Sequence, residues 1–268
     1  MAKIKHWLLL SRIPFLSVVI LPYVLGALLA AALTGFFSFK IFVLGLFASV
    51  LVQLAAHYNG EIYDIQEDRL GVTLEKNFFT GGSLMLVEKL IPERKVKFLS
   101  YAVIFLALVI GVILRFYFKT GSLTIPLGVS GLICGFFYSK PPLRWVSRGT
   151  GELFIAYAFG WLPVAAGFYL QASKFDLLTT LISLPIACSV TNIILINEFP
   201  DHPADRSAGK RNILVRIGKE KGAVLYAVLT VLAGLTFFYA VFRGISFASA
   251  VFYIPVLAIA LRSAGLML

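Results

Sequence analysis

Asn197-Glu198-Phe199-Pro200-Asp201-His202-Pro203-Ala204-Asp205-Arg206-Ser207-Ala208-Gly209-Lys210-Arg211 closes an apolar run that opens near Leu177. A long apolar run ending in a dense charged stretch is the outline of a membrane span and its cytoplasmic end. Asn197, Asp201 and Asp205 are spaced i, i+4, i+8, which stacks them on one helix face, about 6 Å between neighbours. Three oxygen-bearing side chains in such a row suit a hard divalent cation, and Mg²⁺ favours one or two carboxylates together with phosphate oxygens. Arg206, Lys210, Arg211 and Arg216 follow at once. An acidic face followed by a basic segment is what a metal-bridged diphosphate requires.

An earlier stretch repeats the design. Gly60-Glu61-Ile62-Tyr63-Asp64-Ile65-Gln66-Glu67-Asp68-Arg69 lies over residues 197–206 without a gap, with the Glu, both Asp and the Arg matching. Four of the chain's five Asp fall in these two motifs. Asn59 sits one residue before the place Asn197 predicts, and Gly60 occupies that place. Either the motifs are unequal, with Asn59 or Glu61 reaching across, or an extra residue in the helix, a π-bulge, turns Asn59 onto the Asp face.

Composition sets the class. The chain has 268 residues, 59% of them hydrophobic and 14% charged, with a mean hydropathy of +0.90. A soluble domain of that balance has too little polar surface to cover itself. Apolar runs long enough to cross a bilayer recur at about 14–34, 41–59, 96–118, 122–138, 151–171, 177–197, 222–242 and 246–266. They lack the alternation of barrel strands, so the expected fold is an all-α polytopic membrane protein, a bundle of eight transmembrane helices in a single domain over 1–268. The first run, with Pro14 and Pro22, is too long for a cleavable leader. Cys134 and Cys188 fall inside spans as small core residues.

Loop charge orients the bundle. Of 24 Lys and Arg, 19 fall on the side holding the N-terminus and both acidic motifs, so those loops are expected in the cytoplasm of a plasma-membrane protein. This bias, with anionic lipid and an anionic substrate, accounts for the net charge of +11 without a nucleic-acid partner.

Several further residues stand out. Arg12 at the mouth of the first span either anchors at the interface, the commoner role, or reaches a diphosphate. His57 reads as a hydrogen-bonded core residue, and His202 as an outside candidate for a metal or proton role. Thr80-Gly81-Gly82-Ser83 can present backbone N–H groups to an anion. A helix is expected after Gly82, ended by Pro92, so that the loop over 59–95 caps the mouth. Pro141-Pro142 breaks the helix after Tyr138 and places Lys140 and Arg144 at the mouth. Glu152 opens the fifth span at membrane depth, either facing a polar cavity or pairing with Arg148 or Lys140.

The chain resembles the UbiA superfamily of intramembrane prenyltransferases. The resemblance rests on the first Asp motif, Tyr138-Ser139-Lys140-Pro141-Pro142-Leu143, Gly151-Glu152, and Asn197–Gly218, in the family's order. It implies a helix bundle around a central cavity that opens to lipid at the side, two Asp motifs that hold Mg²⁺ against an isoprenyl diphosphate, and capture of an allylic cation by a small aromatic acceptor. Thr-Gly-Gly-Ser and Asn-Glu-Phe-Pro-Asp look most like the branch that prenylates 1,4-dihydroxy-2-naphthoate for menaquinone. The same chemistry on 4-hydroxybenzoate, homogentisate or a glycerol-phosphate lipid is the alternative. Asp64, Asp68, Asp201 and Asp205 are assigned to Mg²⁺, with Asn197 as a further ligand. Lys140, Arg144, Lys210, Arg211 and Asn59 are assigned to the diphosphate. Tyr138 and Tyr63 are placed facing the cation. The residues offer few buried bases, which suits an acceptor already rich in electrons. The family usually has nine spans, so a ninth helix is expected to be missing or cut off here. A secondary transporter is the remote rival, since repeats and membrane acids mark those too, but these acids lie at span ends. Oligomeric state and tail length are not written in these motifs.

Overall fold

The computed structural model describes residues 3–74 and 82–268, with side chains through Leu70 and again from Gly82. The described residues form helices and connecting turns, without strands. A short α1 (Ile4–Leu10) leads through a tight 3₁₀ turn into α2 (Ser17–Thr34). α3 (Phe39–Tyr63) and α4 (Ile65–Leu74) carry the first motif. α5 (Glu93–Val112) runs on as a π turn over Ile113–Tyr117, and α6 (Thr124–Phe137) follows. α7 (Gly151–Ile155) and α8 (Leu162–Ala172) are joined into one rod by a π turn over Ala156–Trp161. α9 (Leu177–Ser207) carries the second motif. α10 (Ile213–Ile217), α11 (Lys219–Phe242) and α12 (Phe247–Met267) complete the chain.

Seven of these rods are long and apolar enough to cross a membrane. They coincide with seven of the eight expected spans. The remaining one, α6, has only 14 residues, which is about 21 Å of helix against a hydrocarbon core of about 30 Å. Irregular backbone at membrane depth survives only where protein covers it. The turn before α6 meets that condition. Thr120 is buried, its hydroxyl donates to the Leu114 carbonyl at 2.9 Å, and the Leu123 N–H donates to Tyr169 Oη of α8 at 3.0 Å.

Pairing runs around the bundle: α2 against α8, α3 against α5 and α6, α9 against α11, and α12 on α11. In lipid the apolar effect does not drive helices together, so close packing and interhelical hydrogen bonds must. Both are present. A Cβ on Gly26 of α2 or on Gly167 of α8 would run into the carbonyls of Val164 and Tyr23 respectively, so these two glycines let the backbones touch. Asn192 of α9 donates to Thr230 Oγ1 (3.0 Å) and the Tyr226 carbonyl (3.1 Å) of α11. Buried Gln171 grips the Ser38 backbone in both directions, tying the α2–α3 turn to α8.

The expected helix after Gly82 is absent. Residues 85–89 make successive turns, with Leu84 and Lys89 in the left-handed region (φ 62° and 56°), and Pro92 caps α5 instead. Met85, Leu86 and Ile91 are buried, so this strap is held by packing rather than by a helical ladder.

Candidate active site

The two acidic motifs meet because α4 packs across α9. α3 is regular α-helix up to Tyr63, without a π turn. The chain then bends at Asp64 (φ −101°, ψ 14°) before α4 begins. Asp64 therefore caps one helix while Asp68 sits on the next. α9 behaves differently. It continues through Pro200 and Pro203 as far as Ser207, so Asn197, Asp201 and Asp205 keep the single face that their spacing predicts.

Each motif is built into a network. Asp64 Oδ2 accepts the Ser139 hydroxyl at 2.6 Å, and Arg144 lies 3.6 Å from Oδ1 while it pairs closely with Glu67. Asp68 Oδ1 accepts the Gly82 N–H at 2.8 Å. Asp205, 3% exposed, takes Lys210 Nζ at 3.1 Å and the Asn212 amide at 2.8 Å. Glu61, 2% exposed, binds Arg12 at 2.8 Å together with the N–H and hydroxyl of Ser83 at 2.6 and 2.7 Å. Arg12 and Arg144, one on each side of motif one, both hold left-handed backbone (φ 48° and 40°). Such strain in non-glycine residues tends to be kept where a side chain must be aimed.

These groups rim one end of a cavity of about 770 Å³ whose remaining wall is mostly apolar. It reaches from Asp64 and Asp205 past Gly135 and Phe154 to Leu114 and Ile125. Among the described residues, six carboxylates line it (Asp64, Glu67, Asp68, Glu198, Asp201, Asp205) against two cations, Arg12 and Lys210. Burial, and then Glu61 beside it, push the Asp68 carboxyl up to about 7. Burial works to lower the Lys210 ammonium, but Asp205 and Asp64 outweigh it and hold its pKa above the ordinary value. Asp64 Oδ1 and Glu198 Oε2 are buried without a hydrogen bond.

An anion cannot enter a rim so rich in acid unless cations accompany it. Among the described residues, no three His, Cys, Asp or Glu side chains cluster tightly enough to hold an ion unaided. That donor set fits Mg²⁺, which commonly takes one or two carboxylates and completes its shell with phosphate oxygens and water.

The UbiA prenyltransferase family model matches residues 19–266. This chain belongs to the UbiA prenyltransferase family. It is 26% identical over 221 residues to the 2-carboxy-1,4-naphthoquinone phytyltransferase of Synechocystis, covering 82% of this chain and 68% of that one. It is 28% identical over 216 residues to the 1,4-dihydroxy-2-naphthoate octaprenyltransferase of Bacillus subtilis, covering 80% of this chain and 66% of that one. The chain thus spans about two thirds of the length of these relatives. Its fold matches a UbiA homolog from Archaeoglobus fulgidus, solved bound to GPP and Mg²⁺, with a TM-score of 0.72 and 19% identity over 97% of this chain and 86% of that one.

Within this family member, the sequence-assigned residues divide. Asp64, Asp68, Asn197, Asp201, Asp205, Tyr138 and Lys210 line the cavity. Lys140 does not. Its amine turns outward over Phe136, 3.9 Å from the ring centroid, with Tyr63 and Tyr101 flanking it at 5.8 and 5.9 Å. Tyr63 is thereby spent on Lys140 rather than on the cavity. Arg211 is outside too; its carbonyl accepts Arg216 Nε at 2.8 Å. Asn59 is buried off the cavity. Five residues before Asp64 is about 140° around a helix, whereas Gly60, four before, shares the Asp64 side and lines the wall. Arg144 reaches the site only through Asp64 and Glu67. Of the Thr-Gly-Gly-Ser segment, Thr80 and Gly81 lie outside the described residues, and the N–H groups of Gly82 and Ser83 point to Asp68 and Glu61 rather than to a free anion. His202 is also off the cavity, while His57 is held as a core histidine, Nδ1 3.0 Å from the Ser11 carbonyl.

Two residues that the sequence left with two readings each are decided by the fold. Arg12 is a cavity residue gripped by Glu61, not an interfacial anchor. Glu152 pairs with neither Arg148 nor Lys140; one oxygen accepts the Ile213 N–H at 2.9 Å, and its other oxygen, like Glu198 Oε2, is buried without a hydrogen bond. The expectation of few buried bases thus gives way to a pair of buried carboxyl groups. Nothing local announced either contact, since the partners are 49 and 61 residues apart.

Proposed function

We propose that this chain transfers an isoprenyl group from an isoprenyl diphosphate to a small aromatic acceptor of the 1,4-dihydroxy-2-naphthoate type. The observation that carries the reading is the acid-rich rim, with Lys210 and Arg12, at the end of a long apolar cavity. The relatives' names carry the acceptor. In this scheme the apolar wall takes the tail and the rim takes the diphosphate. Asp64, Asp68, Asp201 and Asp205, with Asn197, would hold Mg²⁺. When bound, the ion neutralises the diphosphate and stabilises the charge that grows on it as the allylic C–O bond breaks. Lys210 and Arg12 add fixed positive charge aimed at the same oxygens, in a site where low dielectric strengthens it. The bond's electron pair leaves with the diphosphate. Tyr138 and Phe154 line the cavity and are the rings assigned to the allylic cation. The acceptor's ring carbon bonds to it and the ring then loses a proton, or carbon dioxide from a carboxylated position.

The test is product mass spectrometry. Purified protein is given Mg²⁺, a mixture of geranyl to octaprenyl diphosphates, and naphthoate, hydroxybenzoate, homogentisate and glycerol-phosphate acceptors. A prenylated naphthoate-derived product and free diphosphate are expected. Product on another acceptor moves the assignment within the family, and no product on any of them overturns it.

We place the rim on the cytoplasmic side, from the 19 to 5 split of Lys and Arg. Ser207 and Ser122 are exposed at opposite ends of the bundle. In intact cells, Ser122→Cys should react with an impermeant maleimide while Ser207→Cys stays protected until lysis. The reverse pattern would invert the orientation.

A further inference from the structure

Three glycines of α6, Gly128, Gly131 and Gly135, share one face and line the cavity. Two of them face close neighbours. A Cβ on Gly135 would sit 3.0 Å from Ala56 Cβ, and one on Gly131 would sit 3.1 Å from Leu162 Cδ2 and 3.5 Å from Val52 Cγ1. Gly128 is different: a Cβ there meets nothing within 4 Å. No neighbour demands its small size, and glycine weakens a helix interior relative to alanine. What its missing side chain does is leave the cavity open.

The depth is informative. Tyr138 stands at the rim end of α6, beside Ser139, which holds Asp64. Gly128 lies ten residues further in, about 15 Å down the helix axis. Beyond it come Ile125 and Thr124, with Leu114 and Gly111 of the α5 rod on the facing wall; a Cβ on Gly111 would be 3.8 Å from Ile125 Cδ1. Along α6, then, the wall is packed against neighbouring side chains at Gly135 and Gly131 and free of contact at Gly128.

Resting on the isoprenyl-transfer reading above, we propose that Gly128 is a determinant of donor length: the far part of a long isoprenyl tail occupies the space its missing side chain leaves. A side chain at 128 would fill that space without touching the Asp rim, so it should discriminate between donors by length rather than slow them all equally.

The experiment compares kcat/KM for geranyl, geranylgeranyl and octaprenyl diphosphates in wild type, Gly128→Ala and Gly128→Leu. Gly265→Leu is the control, because that glycine of α12 also has nothing within 4 Å and lies away from the cavity. For Gly128→Leu, the long-to-short ratio is expected to fall at least about tenfold, the scale of discrimination a few methylenes give in an apolar pocket. Gly128→Ala should shift the ratio less, in the same direction, while melting at a higher temperature than wild type because alanine is the better helix former. Gly265→Leu should leave the ratio unchanged. If the leucine variant fails to fold, the alanine variant still decides. An active enzyme whose ratio ignores position 128 in the folded variants overturns the inference. A wild type that uses no donor of any length overturns the transfer reading instead, a distinguishable result.

Discussion

Asp64→Ala and Asp201→Ala should each reduce isoprenyl transfer by about a thousandfold or more while the purified protein keeps its helical content. Removing a single group aimed at developing charge already costs 10²–10³ in other enzymes, and each of these Asp would belong to a metal-holding set. Neither residue is a packing element. Asp64 caps a helix at a bend, and Asp201 lies on the half-buried cavity face of α9. Isothermal titration with Mg²⁺ and an unreactive diphosphate analogue should lose its signal in both variants. Near-normal turnover in either would refute the metal assignment. The same experiment ranks the two motifs. Asn197 lines the cavity and Asn59 does not, so Asn197→Ala should cost much more activity than Asn59→Ala. At Gly60 a Cβ would sit 3.9 Å from Asp64 Oδ2 and 4.0 Å from Ser139 Oγ, which is ordinary contact, so Gly60→Asn should be accommodated and should tighten Mg²⁺.

Lys210→Met should be damaging in two separable ways. Lys210 is 14% exposed and pairs at 3.1 Å with Asp205, which is 4% exposed. Removing one partner of a buried pair leaves the other charge uncompensated, at a cost of about 3–5 kcal/mol. Asn212 donates to the same carboxylate at 2.8 Å and should hold the loss toward the lower end. Turnover should fall by a further factor, since among the described residues the ammonium is one of two cations lining the cavity. The double variant Lys210→Met with Asp205→Asn tests the stability effect, since removing the stranded charge should restore most of the melting temperature. The single variant Lys210→Met, assayed below its own melting temperature, tests the other. Near wild-type transfer by that folded protein would show Lys210 to be structural.

How much of this was readable along the chain depends on the range of the physics involved. Apolar runs are a local property, so the spans could be read from composition, and α6 departs from an ordinary span only because its flanking turn is sheltered by α8. The second motif was legible for the same reason: Asn197, Asp201 and Asp205 lie on one unbroken helix, and helical geometry alone aligns them. The first motif has the same spacing but not the same shape, because the chain bends at Asp64 and only the packing of α4 on α9 aims Asp68 at the rim. Charge type was read correctly, but charge destination was not. Lys140 and Arg12 are both cations at the mouth, yet one turns out over Phe136 and the other is drawn in by a buried Glu61. A long flexible side chain takes whichever partner the fold brings within reach, and a local pattern holds no record of a neighbour 49 residues away. The family's chemistry was thus written in the spacing of its acids. Tertiary packing decided which cations serve those acids, that Glu152 meets the start of α10, and that no neighbour crowds Gly128 in the cavity wall.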